Sequence, residues 1–545
     1  MKQTSRADIG DRVASFYPIL SGLAFGVAWN VQGAAILMII ALVPMFLFLH
    51  RNELSVRRAF IGGMTFGVIA FGSTITYFFR TVPLSWMGIP GTVASYAVVG
   101  VVWLLSLIVM SIGPAVWASL YRGSRRSDIS DIVLASSLWV ALEYVRSTVF
   151  LMVWSGPGGL VGPYWTNGFI GIAMADIPFF LPLAAWGGVM MLGFVVVGSN
   201  AAIAWIIGRF GSDNRGRDEG IAAVASLVVL VSVSYVSSLV TTHVSERNMR
   251  VGLVSTNESR LSDMSRMSRL ETYLEIRSML DQLRKADDMP DLLIFPEDSG
   301  FMEYLGPAER RMLFSPVGDG EPTYVVDSRL IATDDGSYVE LSRYTGGVDD
   351  GIPYVKRLIV PFGEYVPSLL RFTVGRSGWS EATERYFRRK NYRAGRAEAP
   401  LAMGEFRGVR IASLLCSEML TDRFYRQAVR EGAGILTNSA SHSWFHGSPA
   451  LFRETVRRAK LFSVSHHRYF LFSGNETTSF IVAPSGELQE MSAVGRTTIV
   501  VGDVSAFSDL TPYDATGNIA DVLMVVPAVF LLGLRNGRMC AKMIR

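Results

Sequence analysis

The feature that most limits what this chain can fold into is a succession of apolar stretches in its first 240 residues, of membrane-spanning length (about 17 to 25 residues) and separated by short basic or Gly/Pro-rich breaks. Such a stretch satisfies its own backbone as a helix and loses nothing by leaving water. The pattern predicts seven spans, over Val13–Trp29, Gly33–Leu49, Ala59–Phe79, Thr92–Leu120, Asp131–Phe150, Leu183–Ile207 and Ile221–Val240. The first is read as a retained helix and not a signal peptide, because no small-residue cleavage site is obvious and further spans follow at once. With 50% hydrophobic and 18% charged residues, the composition agrees with a membrane protein.

The net charge of +4 is too small to point to nucleic acid, but its placement is informative. Lys2, Arg6 and Arg12 precede the first span, Arg51, Arg57 and Arg58 follow the second, Arg122, Arg125 and Arg126 the fourth, and Arg209, Arg215 and Arg217 the sixth. The opposite loops hold almost no basic residue, so the positive-inside bias places the N-terminus in the cytoplasm. Seven spans then carry the segment from Thr241 to Asn518, which has soluble composition, to the outer side. Val522–Leu534, preceded by Asp521 and followed by Arg535 and Arg538, is expected to be an eighth span. The expected organisation is a transmembrane bundle over 1–240, an extracytoplasmic domain over 241–518, and a last span with a cytoplasmic tail over 519–545. Strand-like runs such as Met249–Val254, Leu292–Phe295, Val409–Leu415 and Tyr469–Phe472 alternate with helical segments such as Met264–Lys285, so the middle domain reads as α/β layered. Of the two cysteines, Cys540 falls in the cytoplasmic tail and cannot pair with Cys416.

Three segments each end a predicted buried strand with a reactive residue: Asp291-Leu-Leu-Ile-Phe-Pro-Glu297, Tyr354-Val-Lys356 leading to Val360-Pro-Phe-Gly-Glu364-Tyr365-Val-Pro367, and Ile411-Ala-Ser-Leu-Leu-Cys416-Ser417-Glu418. Singly, each has a bland reading as a solvated turn, a surface charge or a core thiol. Their order and combination resemble the Glu-Lys-Cys signature of the nitrilase superfamily. The octet Val360–Pro367 resembles the corresponding segment of apolipoprotein N-acyltransferases, as does Trp139-Val-Ala-Leu-Glu143-Tyr-Val-Arg146 in the fifth span. There the spacing puts Trp139 and Glu143 on one helical face with Arg146 beside them, either as a structural ion pair or in contact with a lipid headgroup. Two turns depart from the family pattern. Thr437-Asn-Ser-Ala-Ser-His442-Ser-Trp444-Phe445 lacks the usual acidic residue before the aromatic pair, and Phe472-Ser-Gly-Asn-Glu-Thr-Thr478 stands where an Asn-Asn-Gly-type turn is expected.

The resemblance implies a transmembrane bundle of about eight spans carrying an αββα sandwich, in a multi-pass protein of the bacterial inner membrane with its catalytic domain outside the cytoplasm. It implies acyl transfer from a phospholipid, through a cysteine thioester, to the N-terminal amine of a diacylglyceryl-cysteine apolipoprotein. Cys416 is the expected nucleophile and Glu297 its base. Lys356 and the backbone N–H of Ser417 are expected to stabilise the oxyanion, with Glu364 and Glu418 orienting Lys356 and assisting proton transfer. Trp444, Phe445, Tyr365, Glu143 and Arg146 are the expected substrate-binding residues, and Leu369, Leu370, Phe372 and Trp379 are candidates for a lipid-facing lid. No cofactor or metal is expected, although His442, His446, His466 and His467 lie close in sequence. No Gly-rich phosphate loop indicates nucleotide use, and a monomer is expected. The rival readings are a membrane-anchored amidase or lipid hydrolase with the same triad, and an inactive lipid-binding scaffold or transporter.

Overall fold

The computed structural model describes residues 15–89, 91–209, 214–240, 247–258, 266–315, 321–334, 338–345, 353–377 and 381–543. The N-terminal half is a helical bundle: α1 (Tyr17–Asn30), α2 (Val43–Leu49), α3 (Val56–Thr74), α4 (Thr92–Ser124), α5 (Ser130–Val153), α6 (Ala184–Arg209) and α7 (Asn214–Val240). The layered domain follows with β1 (Arg247–Ser255), α8 (Arg266–Lys285), β2 (Leu292–Ile294), α9 (Pro307–Phe314), β3 (Tyr324–Ala332), β4 (Tyr338–Thr345) and β5 (Tyr354–Val355). After α10 (Ser368–Ser377) and α11 (Glu381–Arg389) come β6 (Gly404–Phe406), β7 (Val409–Leu415), α12 (Arg423–Arg430), β8 (Ala433–Ser441) and α13 (Pro449–His466). The chain ends through β9 (Phe470–Asn475), β10 (Phe480–Val482), β11 (Leu488–Met491), β12 (Thr498–Ala506), α14 (Pro512–Thr516) and α15 (Asn518–Met543).

Among the described residues, five helices are long and apolar enough to cross a membrane: α4, α5, α6 with its preceding turn, α7 and α15. Their outward side chains, such as Val101 and Leu104 on α4 or Leu523 and Phe530 on α15, are exposed, as a lipid environment requires. α15 begins earlier and runs longer than the apolar run Val522–Leu534. The first two expected spans are shorter than a bilayer. α1 has 14 residues, a length of about 21 Å at 1.5 Å per residue, and Val13 lies outside the described residues. Gly33–Leu49 splits into a 3₁₀ turn over Ala35–Ile39 and the seven-residue α2. Pro44, in the first turn of α2, has no N–H to continue a preceding helix. α3 stops at Thr74 and tightens into a 3₁₀ turn over Thr76–Thr81, short of the expected Phe79. Glycine brings α3 and α4 together, since a Cβ at Gly63 would lie 2.4 Å from the Pro114 carbonyl oxygen.

In the layered domain two six-stranded sheets face each other, in the orders β12-β1-β2-β3-β4-β5 and β11-β10-β9-β8-β7-β6. The centre of each is parallel (β1-β2-β3 and β7-β8-β9) and its flanks antiparallel. Parallel strands need both faces covered. α8 and α9 cover the first sheet through Ile276, Leu280 and Leu313 packed on Leu293, Phe295 and Val325, and α12 and α13 cover the second. The αββα sandwich expected from the resemblance therefore forms. Serines stitch the facing sheets: Ser473 Oγ donates to the Val254 carbonyl at 2.6 Å and Ser439 Oγ to that of Phe295 at 2.7 Å.

α13 also fastens the sandwich to the bundle. Arg457 donates to the Trp29 carbonyl at the end of α1 at 2.8 Å and pairs with Asp176 at 2.6 Å, while Arg453 donates to the Asn30 carbonyl. These carbonyls are left free where a helix ends, and a cation suits that pole of the helix dipole.

Candidate active site

Glu297 follows β2, Lys356 follows β5 and Cys416 follows β7, so two sheets bring together three residues distant in sequence. Lys356 is fully buried and its ammonium lies 2.6 Å from Glu297 Oε1, with Glu364 Oε1 closing the other side. The second oxygen of Glu297 accepts from the backbone N–H of Ser441 at 3.0 Å, and the second oxygen of Glu364 from that of Val360 at 2.7 Å. Each buried carboxylate thus has both a cation and a backbone donor, the condition under which buried charge is tolerated.

Cys416 is a free thiol with φ of +37°, in the left-handed region that ordinary side chains avoid. Neighbours hold it there. Glu418 Oε2 accepts from the N–H of Leu415 at 2.7 Å, and the Ser417 hydroxyl donates to the Leu358 carbonyl. Burial pushes the thiol pKa well above its ordinary value, the charge of Glu297 adds to the rise, and Lys356 opposes it. The resting sulfur is therefore protonated and needs a base at the moment it attacks. Burial likewise raises Glu364, against the pull of Lys356.

Glu418 departs in part from what the sequence suggests. Its Oε1 accepts from Tyr354 Oη at 2.6 Å and from the N–H of Arg357 at 2.7 Å, so it sets the backbone on either side of Lys356 and ahead of Cys416 without bonding the Lys356 ammonium. Tyr365 also departs from expectation. It is buried outside the cavity described next, its hydroxyl donates to the Trp154 carbonyl at 3.0 Å, and a Cβ on Gly156 or Gly159 would lie 2.8 Å from its ring. It latches the sandwich to the loop after α5.

Cys416, Glu297, Glu364 and Ser417 border a cavity of about 210 Å³ whose walls come from both halves of the molecule. The bundle contributes Tyr77, Trp86, Val98, Val102, Trp154 and Trp165; the sandwich contributes Phe362, His442, Trp444, Phe445, Leu451 and Phe472. Trp444 packs on Trp86 with ring centroids 4.8 Å apart, Phe445 on Tyr77 at 5.4 Å, and the Lys390 ammonium sits 4.2 Å from the Trp444 ring centre. Deeper in, Glu454 and Arg458 form a buried pair at 2.6 Å that also faces the cavity. Sequence reading missed this pair and the whole bundle wall. The i,i+4 spacing of Glu454 and Arg458 was visible, but nothing local marks which face of α13 is buried.

Glu143 and Arg146 lie elsewhere, beside a separate hollow of about 10 Å³. They do not close on each other: Glu143 accepts from the N–H of Ile170 at 2.8 Å and Arg146 donates to the Asn167 carbonyl at 2.9 Å, so both brace the turn between α5 and α6. Leu369 and Phe372 are exposed on α10, away from the cavity lining, and Leu370 packs against the cluster around Tyr386. Trp379 lies outside the described residues. The four histidines have separate surroundings: His442 faces the cavity, His446 and His467 occupy left-handed turns, and His466 is bonded to Asp514 at 2.7 Å. Among the described residues no group of three or more His, Cys, Asp or Glu side chains could hold a metal ion.

The profile of the apolipoprotein N-acyltransferase N-terminal domain matches residues 21–202. Over 92% of its length the chain is 25% identical to an apolipoprotein N-acyltransferase of Geobacter metallireducens, covering 91% of it. It is 24% identical over 95% of its length to that of Gloeobacter violaceus, covering 92%, and 26% identical over 92% to that of Chromobacterium violaceum, covering 89%. Among solved structures it is similar to Saccharomyces cerevisiae Nit3, a nitrilase-superfamily member, with a TM-score of 0.34 and 11% identity over 51% of this chain and 97% of that one.

Proposed function

This chain belongs to the apolipoprotein N-acyltransferase family, and on that footing we propose that it carries a fatty acyl group from a membrane phospholipid, on the sulfur of Cys416, to the N-terminal amine of diacylglyceryl-cysteine apolipoproteins. One observation carries the reading: the thiol faces an apolar cavity whose wall includes α4, a helix long and apolar enough to cross a membrane. An acyl chain can reach the sulfur from the bilayer without passing through water.

Glu297 takes the thiol proton as the sulfur attacks the ester carbonyl. Lys356 and the backbone N–H of Ser417 stabilise the charge on the carbonyl oxygen. The lysophospholipid leaves with the proton, the amine then attacks the thioester, and Glu364 holds Lys356 in place between the two steps. The aromatic walls at Trp444 and Phe445 exclude the water that would hydrolyse the thioester.

The protein sits in the bacterial inner membrane, with residues 1–240 as the bundle, 241–518 as the extracytoplasmic catalytic domain and 519–545 as the last span and tail. The distribution of cations supports that orientation. Arg122, Arg125, Arg209 and Arg535 bind carbonyls of the turns at the bundle end away from the sandwich, as the positive-inside rule expects of the cytoplasmic face.

The test is turnover of the detergent-solubilised full chain with a labelled phospholipid and a diacylated lipopeptide bearing a free N-terminus. Equimolar lysophospholipid and N-acyl lipopeptide are expected. Lysophospholipid with free fatty acid and unmodified peptide would make the protein a hydrolase.

A further inference from the structure

We propose that a small polar pocket behind Glu297 is the exit for the proton that the second half-reaction must release. The proposal rests on the reading of Glu297 as base and Cys416 as nucleophile. In the first half-reaction the S–H and ester C–O bonds break, the S–C bond forms, and the thiol proton passes through Glu297 to the lysophospholipid oxygen. That step is proton-neutral. In the second, an N-terminal amine with a pKa of about 7.7 to 8.0 arrives largely as ammonium at neutral pH. The N–C bond forms and the C–S bond breaks; of the three ammonium protons one stays on the amide, one returns to the sulfur, and one has to leave. The apolar cavity, walled by residues such as Val98 and Val102 of a membrane helix, is a poor route for it.

Glu297 is also part of the wall of a second hollow, of about 30 Å³, lined by Thr272, Tyr273, Asp298 and Ser299, with Arg269 and Tyr304 among its walls. Arg269 is exposed and Tyr304 is 45% exposed, so this hollow reaches the surface of the sandwich. A polar space of that size has room for about one or two waters. Cys416 lines the first cavity and not the second. Held by Lys356 on one oxygen and by the Ser441 N–H on the other, Glu297 is a partition that passes a proton while keeping water from the thioester. The same partition distinguishes a transferase from a hydrolase.

Thr272, half-buried on α8, is the residue to change. Single-turnover measurements on the full chain separate the two steps: the burst of lysophospholipid reports the first, and discharge onto the lipopeptide the second. Thr272→Leu, which fills the pocket, is expected to keep the burst and to slow discharge about tenfold, with an increased solvent deuterium isotope effect on discharge alone. Thr272→Val, which keeps the shape and removes the hydroxyl, is expected to show the same split in smaller measure, and Thr272→Ser to behave as wild type. Unchanged discharge in Thr272→Leu, or equal slowing of both steps in Thr272→Leu and Thr272→Val, overturns the proposal. A normal burst in Glu297→Gln would instead overturn the reading of Glu297 as base.

Discussion

Both halves of this molecule bury charge, and they use it differently. In the sandwich, Glu297, Lys356 and Glu364 bond to one another beside a thiol and face a cavity of about 210 Å³. In the bundle, Glu143 and Arg146 are as deeply buried but turn to the backbone of one connecting turn, and the hollow beside them is only about 10 Å³. Burial alone marks a charge as costly. What separates chemistry from architecture is whether the charge looks onto space a substrate can fill.

The comparison breaks most easily at the nucleophile. Cys416→Ala is expected to abolish lysophospholipid formation while leaving the fold intact, and Glu297→Gln to slow it by about 10²- to 10⁴-fold. Lys356→Met comes next. It removes the proposed oxyanion partner, worth about 10²- to 10³-fold in rate, and leaves two buried carboxylates unpaired, a loss of about 3 to 5 kcal/mol visible in denaturant midpoints. Because Lys356 is the group that opposes the rise in the thiol pKa, the same variant should move the pH midpoint of iodoacetamide alkylation at Cys416 further up. Glu143→Gln sharpens the contrast from the other side: about 1 to 3 kcal/mol of stability should be lost, with acyl transfer per folded molecule within a few-fold of wild type. Abolished acylation at unchanged stability would erase the distinction drawn here.

The last effect concerns pH. Burial holds the His442 imidazole at about 4, below its ordinary 6.5. The unfolded chain therefore binds more protons between about pH 4 and 6.5, and stability falls as pH drops through that window. His442→Asn should flatten that dependence by about 2 kcal/mol between about pH 4.5 and 7. Denaturation midpoints at pH 4.5 and 7 for both proteins measure the difference.

The parts legible in the sequence were those encoded locally. α4 to α7 announce themselves as apolar runs, and Glu297, Lys356 and Cys416 each close a short buried strand with a reactive side chain. The parts that were not legible depend on distant partners. Glu418 sits two residues from Cys416, yet its bonds go to Tyr354, Arg357 and Leu415. Tyr365 lies inside the most recognisable octet, but it faces Gly156 and Gly159 across the junction of the two halves. α1 and α2 looked long enough to span because hydropathy does not register a proline that restarts a helix.

The central claim is that an acyl chain rests on Cys416 between two half-reactions. The most direct measurement is mass analysis of the Cys416 peptide after brief incubation of the full chain with labelled phospholipid and no acceptor. A fatty acyl adduct on Cys416, absent in Glu297→Gln and discharged on adding a diacylated lipopeptide, is the predicted result. Acyl transfer to the lipopeptide with no adduct on Cys416 at any time would contradict it.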